Sequence, residues 1–361
     1  MHKDDICCHV DSEDLRRFIG QSLTACGADE DSSAAVVRAL VTASLMGVDS
    51  HGLRLLPHYV KELEGGRVRG APRLQIEQRL AATAVLDAGH GFGHLAGYRA
   101  VEHAVGMARE VGVGCVAVGN SSHFGAAGCY ALAAAEQGML GMALCNSDPF
   151  VLLHGSRRAF HGTNPIAFAA PVEGQKPYLL DMATSSVPWN RVQQYSAIGR
   201  SLPPDIAAAD DGSTTTDAGE VAALLPLGGA GFGFKGAGLA GMVEILSSTL
   251  ANMVHGFHLL PMGGEDMSTP RGVGHFFLVM NPEAFCDRAI FQQRMAAYLK
   301  DLRAMTGVGE QPVLAPGDRE WLCHQQRSRE GIPLDRAQRD AYCELSQHLQ
   351  IPALTEQHRA G

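Results

Sequence analysis

The segment 111–138, VGVGCVAVGNSSHFGAAGCYALAAAEQG, contains the pattern that decides the fold. Its first part, 111–119, is nearly all apolar, as expected for a β-strand that is buried on both faces. A turn of small and polar residues follows, and the alanine-rich part 126–138 predicts a helix. A strand followed by a short turn and a helix is typical of an α/β fold.

The same alternation continues on both sides of this segment. Further strands are predicted for the apolar runs at 82–89, 139–147, 166–171, 176–184 and 272–281, and helices for 98–112 and 236–254. Residues 11–46 predict two more helices, and the chain is mainly helical in pattern from about residue 283. We therefore expect a helical segment at 1–78, a central α/β domain at 79–282, and a helical segment at 283–361 that packs on the first.

The composition excludes several classes of function. The chain of 361 residues has a net charge of −9 and no basic stripe, so we expect no nucleic-acid partner. No apolar run reaches membrane-spanning length, and the start MHKDDICCHVDSEDL lacks the apolar core of a signal peptide. The nine cysteines, an odd number without a C-x-x-C pair, favour reduced thiols and a cytoplasmic protein.

The stretch GVDSHGLRLL, residues 47–56, groups three polar side chains that suit catalysis. His51 can exchange a proton near neutral pH, and Ser50 can fix the orientation of its ring. Arg54 can hold a carboxylate with its planar guanidinium group. Together they suit the reduction of a carbonyl or imine next to a carboxylate, although a helix C-terminus that ends in polar groups would account for the same residues.

A second candidate site lies in VGNSSHFGAAG, residues 118–128. It follows the predicted strand and leads into the predicted helix, so backbone amides at the helix N-terminus can bind a phosphate or carboxylate. His123 stands at the start of this turn. An ordinary strand-to-helix turn with a capping serine remains the alternative.

Two weaker candidates are a threonine and an aspartate. Thr163 in GTNPIAF (162–168) can offer a hydroxyl to a substrate acid, although in isolation the Asn-Pro turn accounts for this stretch. Asp181 in LLDMATSS (179–186) ends an apolar run, where its carboxylate can bind ribose hydroxyls or cap the next turn.

The glycine-rich segment GGAGFGFKGAGLAG, residues 228–241, contains a G-x-G-x-x-G match. No clear strand precedes it, because AALLPLGG contains a proline and predicts a loop, so the match does not indicate a Rossmann site. Its glycines permit close backbone approach, and Lys235 can bind a phosphate or an acidic substrate. The histidines and cysteines have no spacing typical of a zinc site, so we expect no metal.

Taken together, these segments resemble the malate/L-lactate dehydrogenase family that lacks a Rossmann fold. The likeness rests on strings that occur in the family's order between residue 47 and about residue 286: GVDSHGLRLLPHY, SSHFGAAGCYALAAAEQGMLGMALCNSDP, GTNPIAFAAP, LDMATS, LLPLGG, FKGAGLAGMVEIL and GHFFLVMNPEAF. Several of these strings are too long to agree by chance, and with the helical ends the likeness covers most of the chain.

The resemblance implies an oxidoreductase that uses NAD or NADP. It also implies a homodimer and an α/β fold with a mixed or largely antiparallel sheet wrapped by helices. By the same likeness, Ser50 is a relay, His51 is the proton donor of the S-H-G motif, and His123 is a proton acceptor beside the cofactor. The residues expected to contact the cofactor are His123, Phe124, Gly125, Ala126, Ala127, Ser147, Asp181, Met182, Ala183, Lys235 and Gly236.

The expected substrate is a small carboxylate, held in family members by an arginine and by the threonine of the G-T-N-P motif. Thr163 matches that threonine. Some members place the arginine four residues after the histidine, whereas here Arg54 lies three after His51 and Leu55 takes the fourth position. We expect hydride transfer between nicotinamide and a 2-hydroxy or 2-oxo acid of malate or lactate type. Alternatives are a Δ1-piperideine- or Δ1-pyrroline-2-carboxylate reductase, a hydrolase that uses Ser50 and His51, and a binding protein without catalysis.

Overall fold

The computed structural model describes residues 6–197, 199–309 and 311–357. Its helices are α1 (Ser12–Ala25), α2 (Glu30–Leu45), α3 (Leu56–Glu64), α4 (Gly93–Val111), α5 (Gly128–Ala135), α6 (Trp189–Ala197), α7 (Gly229–Glu244), α8 (Arg288–Arg303), α9 (Asp318–Glu330) and α10 (Arg336–Leu349). Among these residues no helix combines the length and the apolar character needed to cross a bilayer.

The strands form one large sheet and two small ones. In chain order they are β1 (Ile6–Val10), β2 (Gln75–Leu80), β3 (Thr83–Asp87), β4 (Val113–Ser121), β5 (Leu140–Cys145), β6 (Val151–Leu152), β7 (Ala159–His161), β8 (Ile166–Ala170), β9 (Tyr178–Met182), β10 (Ala207–Ala208), β11 (Ala223–Leu224), β12 (Val273–Met280), β13 (Ile332–Asp335) and β14 (Glu356–Gln357). The large sheet has the order β2-β3-β4-β12-β5-β8-β9.

The large sheet is mixed and mostly antiparallel. β3 and β4 run parallel, and the remaining neighbours in this sheet are antiparallel. The long antiparallel strand β12 lies between β4 and β5, so the strands do not follow the parallel order of a Rossmann domain. The structure therefore confirms the expected α/β fold with a largely antiparallel, non-Rossmann sheet.

Helices α4 and α5 cover the sheet and enclose the main core with apolar residues of β4, β5 and β12. α4 lies so close to β4 that a Cβ atom at Gly114 would come within 2.2 Å of the Ala104 carbonyl oxygen. Only glycine permits this approach of backbone to backbone. His123 lies between the end of β4 and the start of α5.

The N-terminal and C-terminal segments share a second core. It contains apolar residues of α1, α2, α3, β13 and α10, and β1 pairs with both β13 and β14. The expectation that the two ends of the chain pack together is therefore confirmed. The boundaries at residues 78 and 282 remain a prediction.

Several local predictions were wrong. The glycine-rich stretch before residue 236 is the first half of α7, because Gly233 and Gly236 let this helix pack directly on Pro226 and on the Leu227 backbone. The stretch PLDRAQRDAYCELSQHL, 333–349, predicts a helix throughout, but residues 333–335 belong to β13, and the helix begins only after the side chain of Asp335 caps it. The stretch 196–230 predicts a loop from its two adjacent prolines and its cluster of Ser, Thr and Asp, but β10 and β11 within it form part of a four-stranded sheet.

Candidate active site

Asp49, Ser50 and His51 form a single 3₁₀ turn after α2. The Ser50 hydroxyl lies 2.8 Å from Nδ1 of His51, so the two side chains of the S-H-G motif are hydrogen-bonded as expected. The glycine of the motif is required by packing, since a Cβ atom at Gly52 would lie 2.2 Å from the Ser44 hydroxyl. That hydroxyl in turn accepts the N–H of Leu53 at 3.0 Å.

The fold brings His123 next to this turn. The imidazole rings of His51 and His123 lie 5.9 Å apart, centre to centre, with 26° between their planes. The Tyr59 hydroxyl, on α3, lies 2.7 Å from Nδ1 of His123. Each ring therefore has one nitrogen engaged by a hydroxyl group, and the two histidine motifs of the sequence form one site.

Burial determines the charge of this pair. Loss of hydration lowers the pKa of His51, and burial together with the neighbouring histidines lowers the pKa of His123 well below its usual range. Both imidazoles are therefore neutral at pH 7. A neutral imidazole can accept a proton from a substrate hydroxyl and return it in the reverse reaction.

Two further histidines lie behind the pair, fully buried. The His94 ring packs edge-on against Tyr59 with 4.9 Å between centroids, and burial lowers the pKa of His94 to about 3. His275 stacks on Phe124 at 4.6 Å, bonds Ser121 through Nε2 at 2.8 Å, and has its pKa lowered to about 3, mainly by burial. These neutral rings form an aromatic wall behind the site without adding charge.

The turn after His123 is packed tightly. Phe124, Ala126 and Ala127 are buried. Gly125 has a φ of +72°, and a Cβ atom there would lie 3.2 Å from Nε2 of His94. The expected cofactor turn is therefore a rigid segment whose shape requires glycine at its centre.

Asp181, at the end of β9, caps the helix that follows this turn. Its Oδ2 accepts the Gly128 N–H at 2.8 Å. Although part of the side chain faces solvent, surrounding protein atoms reduce the hydration of the carboxylate, which raises the pKa of Asp181 to about 6 against the lowering effect of that hydrogen bond. A carboxylate already lies at the N-terminus of α5, so this end suits sugar hydroxyls better than a phosphate.

Ser147 and Thr163 are also brought together. The Ser147 hydroxyl accepts a hydrogen bond from the Thr163 N–H at 3.1 Å. The Thr163 carbonyl oxygen accepts hydrogen bonds from the N–H and the hydroxyl of Thr184. Met182 and Ala183 follow Asp181 at the end of β9 and are partly exposed. The C-terminal ends of β5 and β9 thus meet the G-T-N-P turn.

A buried carboxylate joins these loops. Glu244, at the end of α7, accepts the side-chain amides of Asn146 and Asn164 at 3.1 and 2.9 Å. Its Oε1 also accepts the Gly256 N–H at 2.6 Å. Asn146 precedes Ser147 and Asn164 follows Thr163, so Glu244 fixes the backbone next to both.

Three expected site residues have other partners. Arg54 forms a 2.5 Å ion pair with Asp335, and its side chain is 47% exposed. Lys235 lies on the exposed side of α7, with its ammonium 5.4 Å from the centre of the Phe232 ring, while the Gly236 N–H donates to the Leu227 carbonyl. Their roles toward substrate and cofactor remain predictions.

Sequence reasoning missed Tyr59, His94 and Glu244. Tyr59 lies eight residues after His51 in an amphipathic helix, where the pattern indicates a core position and not a partner for a histidine 64 residues away. The one available signal for Glu244 was a single acidic residue inside the otherwise apolar stretch GAGLAGMVEIL. A buried charge of this kind requires hydrogen-bond partners, but the sequence does not identify them.

Known proteins resemble this chain over nearly its whole length. The malate/L-lactate dehydrogenase family profile matches residues 10–341. Malate dehydrogenase of Pyrococcus abyssi is 35% identical over 97% of this chain and 98% of its own length. Ureidoglycolate dehydrogenase (NAD(+)) of Escherichia coli is 32% identical over 90% and 92%, and (2R)-3-sulfolactate dehydrogenase (NADP(+)) of Chromohalobacter salexigens is 33% identical over 88% and 91%.

Solved structures agree with the fold. Malate dehydrogenase from Pyrococcus horikoshii superposes with a TM-score of 0.89 at 32% identity, covering 98% of this chain and 99% of that one. Δ1-piperideine-2-carboxylate reductase from Pseudomonas syringae gives 0.84 at 30% identity, covering 94% and 100%. The chain therefore belongs to the malate/L-lactate dehydrogenase family and is an NAD(P)-dependent oxidoreductase that acts on hydroxy acids.

Proposed function

We propose that His51 carries the proton in the interconversion of a 2-hydroxy acid and its 2-oxo acid. The observation that supports this role most directly is the hydrogen bond between the Ser50 hydroxyl and Nδ1 of His51, beside the nearly parallel ring of His123. Because Nδ1 is engaged, we assign Nε2 to the substrate oxygen. Ser50 keeps the ring oriented, and His123, held by Tyr59, is the second proton acceptor.

The residues around the pair suit a nicotinamide dinucleotide. Such a cofactor supplies or accepts the hydride when it is bound. The Asp181 carboxylate can accept hydrogen bonds from ribose hydroxyls, and the turn Phe124–Ala127 is buried and carries no charged side chain. We propose these residues, together with Ser147, Met182, Ala183, Lys235 and Gly236, as the cofactor contacts.

We propose Arg54 and Thr163 as the groups that hold the substrate acid. Arg54 must then exchange the Asp335 carboxylate for that of the substrate, which an exposed ion pair permits because such pairs contribute little to stability. A guanidinium group binds a carboxylate through two parallel hydrogen bonds, so it also fixes the position of the reacting carbon.

Activity toward a panel of acids tests the substrate class. The panel contains 2-oxo acids with a second acid group, 2-oxo acids with an apolar side chain, and cyclic imines that carry a carboxylate, each assayed with NADH and with NADPH. The 2-oxo acids are expected to be reduced fastest. Faster turnover of the cyclic imine would instead favour the imine reductase, the class represented among the structural neighbours. Failure to bind either dinucleotide, followed by nicotinamide fluorescence, would contradict the proposal.

We further propose that the protein is a homodimer. Apolar side chains are exposed along α7 and the segment after it: Phe232, Phe234, Leu239, Met242, Ile245, Leu250 and Val254. Gly231, Gly238 and Gly241 lie among them, and a Cβ atom at any of the three would meet nothing within 4 Å. An apolar face with gaps of this kind allows close helix packing and suits a second copy of the same chain.

We also propose a cytoplasmic location. None of the nine cysteines forms a disulfide among the described residues, and the Cys7 thiol donates a hydrogen bond to the sulfur of Cys8 at 3.7 Å. A reducing compartment preserves such thiols. Recovery of the protein in the cytosolic fraction, with all nine thiols open to alkylation after unfolding, is the expected result, whereas a secreted, disulfide-bonded form would contradict it.

A further inference from the structure

The 3₁₀ turn of the S-H-G motif is held from outside by the C-terminal segment. Arg327, near the end of α9, binds the Asp49 carboxylate with both terminal nitrogens, at 2.5 and 3.0 Å. The same guanidinium group donates to the Ser44 carbonyl oxygen at 2.5 Å. Asp49 is the residue directly before Ser50, so this contact lies next to the catalytic pair in the chain.

Packing brings α9 close to this turn. Gly47 has a φ of +78°, and a Cβ atom there would lie 2.7 Å from the sulfur of Cys323, one helical turn before Arg327. The Arg327 and Asp49 side chains are only 13% and 28% exposed. A charged pair with two parallel hydrogen bonds in such a partly buried place has a defined geometry, which a solvated surface pair lacks.

One more contact holds the far side of the motif. The Tyr342 hydroxyl, on α10, donates to the Leu53 carbonyl at 2.6 Å. Ser44 links the two sides. Its carbonyl oxygen accepts a hydrogen bond from Arg327, and its hydroxyl accepts one from the Leu53 N–H. The segment that carries Ser50 and His51 is therefore fixed at both ends.

We propose that Arg327 is a positioning residue for the hydride-transfer reaction: through Asp49 it holds the 3₁₀ turn so that the Ser50–His51 hydrogen bond keeps its orientation. The inference rests on the proposed role of His51 as proton carrier. It assigns the C-terminal helices a task in catalysis, although they contribute no group that touches the reacting atoms. Misplacement of a reacting group by about 1 Å can slow a reaction by about 100-fold.

The test compares four variants of the full-length protein on its best substrate. Arg327→Gln removes the charge and the paired hydrogen bonds, Arg327→Lys keeps the charge alone, and Asp49→Asn nearly preserves the shape of its partner. Arg303→Gln is the matched control, because Arg303 binds Asp318 in the same two-bond manner at 2.6 and 3.0 Å. Asp318 begins α9, about 14 Å along the helix from Arg327.

The readouts are kcat, the dissociation constant for the dinucleotide, and NMR of isotope-labelled histidine, in which His51 is assigned by its loss in His51→Gln. Arg327→Gln and Asp49→Asn are expected to lower kcat by about 10- to 100-fold and to leave dinucleotide affinity within about twofold. The His51 ring nitrogens should change from one fixed tautomer to a mixture. Arg327→Lys should fall between wild type and Arg327→Gln, and Arg303→Gln should match wild type.

Unchanged kcat and unchanged His51 signals in Asp49→Asn would overturn the proposal, even if Arg327→Gln fails to fold. A fall in kcat with unchanged His51 signals would overturn it too, because the loss would not act through His51. The proposed function fails separately, if His51→Gln itself retains turnover. In that case the NMR comparison still reports whether Arg327 orients the ring.

Discussion

The rings of His51 and His123 lie nearly parallel at 5.9 Å, although β2, β3, α4 and β4 separate their two motifs along the chain. Each ring has Nδ1 bonded to a hydroxyl group, from Ser50 or from Tyr59. The hydroxyl groups fix which nitrogen of each ring is left for substrate, and this geometry is the basis of the predictions below.

Replacement of Tyr59 by phenylalanine should impair catalysis with little loss of structure. The ring stays in its buried place, but Nδ1 of His123 loses its hydroxyl partner. We expect kcat/KM to fall about fivefold, equivalent to the roughly 1 kcal/mol of one hydrogen bond. Steady-state kinetics measure the change, with Tyr298→Phe on the exposed side of α8 as the control. Equal values for the two variants would show that the hydroxyl group does not position His123.

Stability should fall as the pH is lowered below 6.5, in part because of His94. Its pKa is about 3 in the folded protein, so the unfolded chain, with an ordinary pKa near 6.5, binds more protons between these values. The contribution of each such group to folding stability is complete above about pH 6.5. Below that pH it is lost at up to about 1.4 kcal/mol per pH unit. His275 adds a similar effect, and the raised pKa of Asp181 acts in the opposite direction.

The contribution of His94 can be isolated with His94→Leu. Neither ring nitrogen of His94 has a hydrogen-bond partner among the described residues, so the change removes a titrating group without breaking a bond. Urea unfolding at pH 7.5, 6 and 5 is expected to show a shallower loss of stability in the variant. Identical slopes for wild type and variant would mean that His94 is protonated in the folded protein.

Glu244→Gln should destabilise the protein. Glutamine keeps one carbonyl oxygen, so one of the side-chain amides of Asn146 and Asn164 would face the new NH2 group and lose its buried acceptor. We expect a loss of about 2 kcal/mol in the free energy of unfolding. Glu136→Gln, at an exposed ion pair with Arg38, is the control and should cost less than about 1 kcal/mol. A similar loss in both variants would contradict the view that the hydrogen bonds of Glu244 hold these loops together.

A negative charge on the exposed apolar face formed by α7 and the segment after it should separate the proposed dimer. Ile245 is 61% exposed and lies among the other apolar side chains of this face. Ile245→Glu is expected to halve the mass measured by analytical ultracentrifugation, whereas Val111→Glu, at an exposed apolar residue at the end of α4, should leave it unchanged. A monomeric wild type would contradict the proposal outright.

Local pattern predicted the scaffold better than it predicted the partners of the site residues. The strands around His123 follow from apolar runs, and the hydrogen bond between Ser50 and His51 joins neighbours in the chain. Partners that are distant in sequence leave no local signal. The ion pair of Arg54 with Asp335 joins residues 281 positions apart, and composition alone gave no reason to expect it.

At the start of α7, tertiary packing extends a helix beyond the part that local pattern predicts. The predicted helix begins only at residue 236, and the four glycines between residues 228 and 233 are unfavourable inside a helix by propensity. Tertiary packing overrides this preference, because the buried glycines allow the helix to lie directly on the chain at Pro226 and Leu227. Helix packing of this kind depends on backbone approach, which periodicity of apolar side chains does not reveal.

The most direct test of the central claim is the turnover of His51→Gln on the best substrate of the panel. Glutamine retains a polar side chain but cannot exchange a proton near neutral pH. If His51 carries the proton, kcat falls by about 100- to 10,000-fold while dinucleotide binding persists. Turnover close to that of the wild type would contradict the assignment.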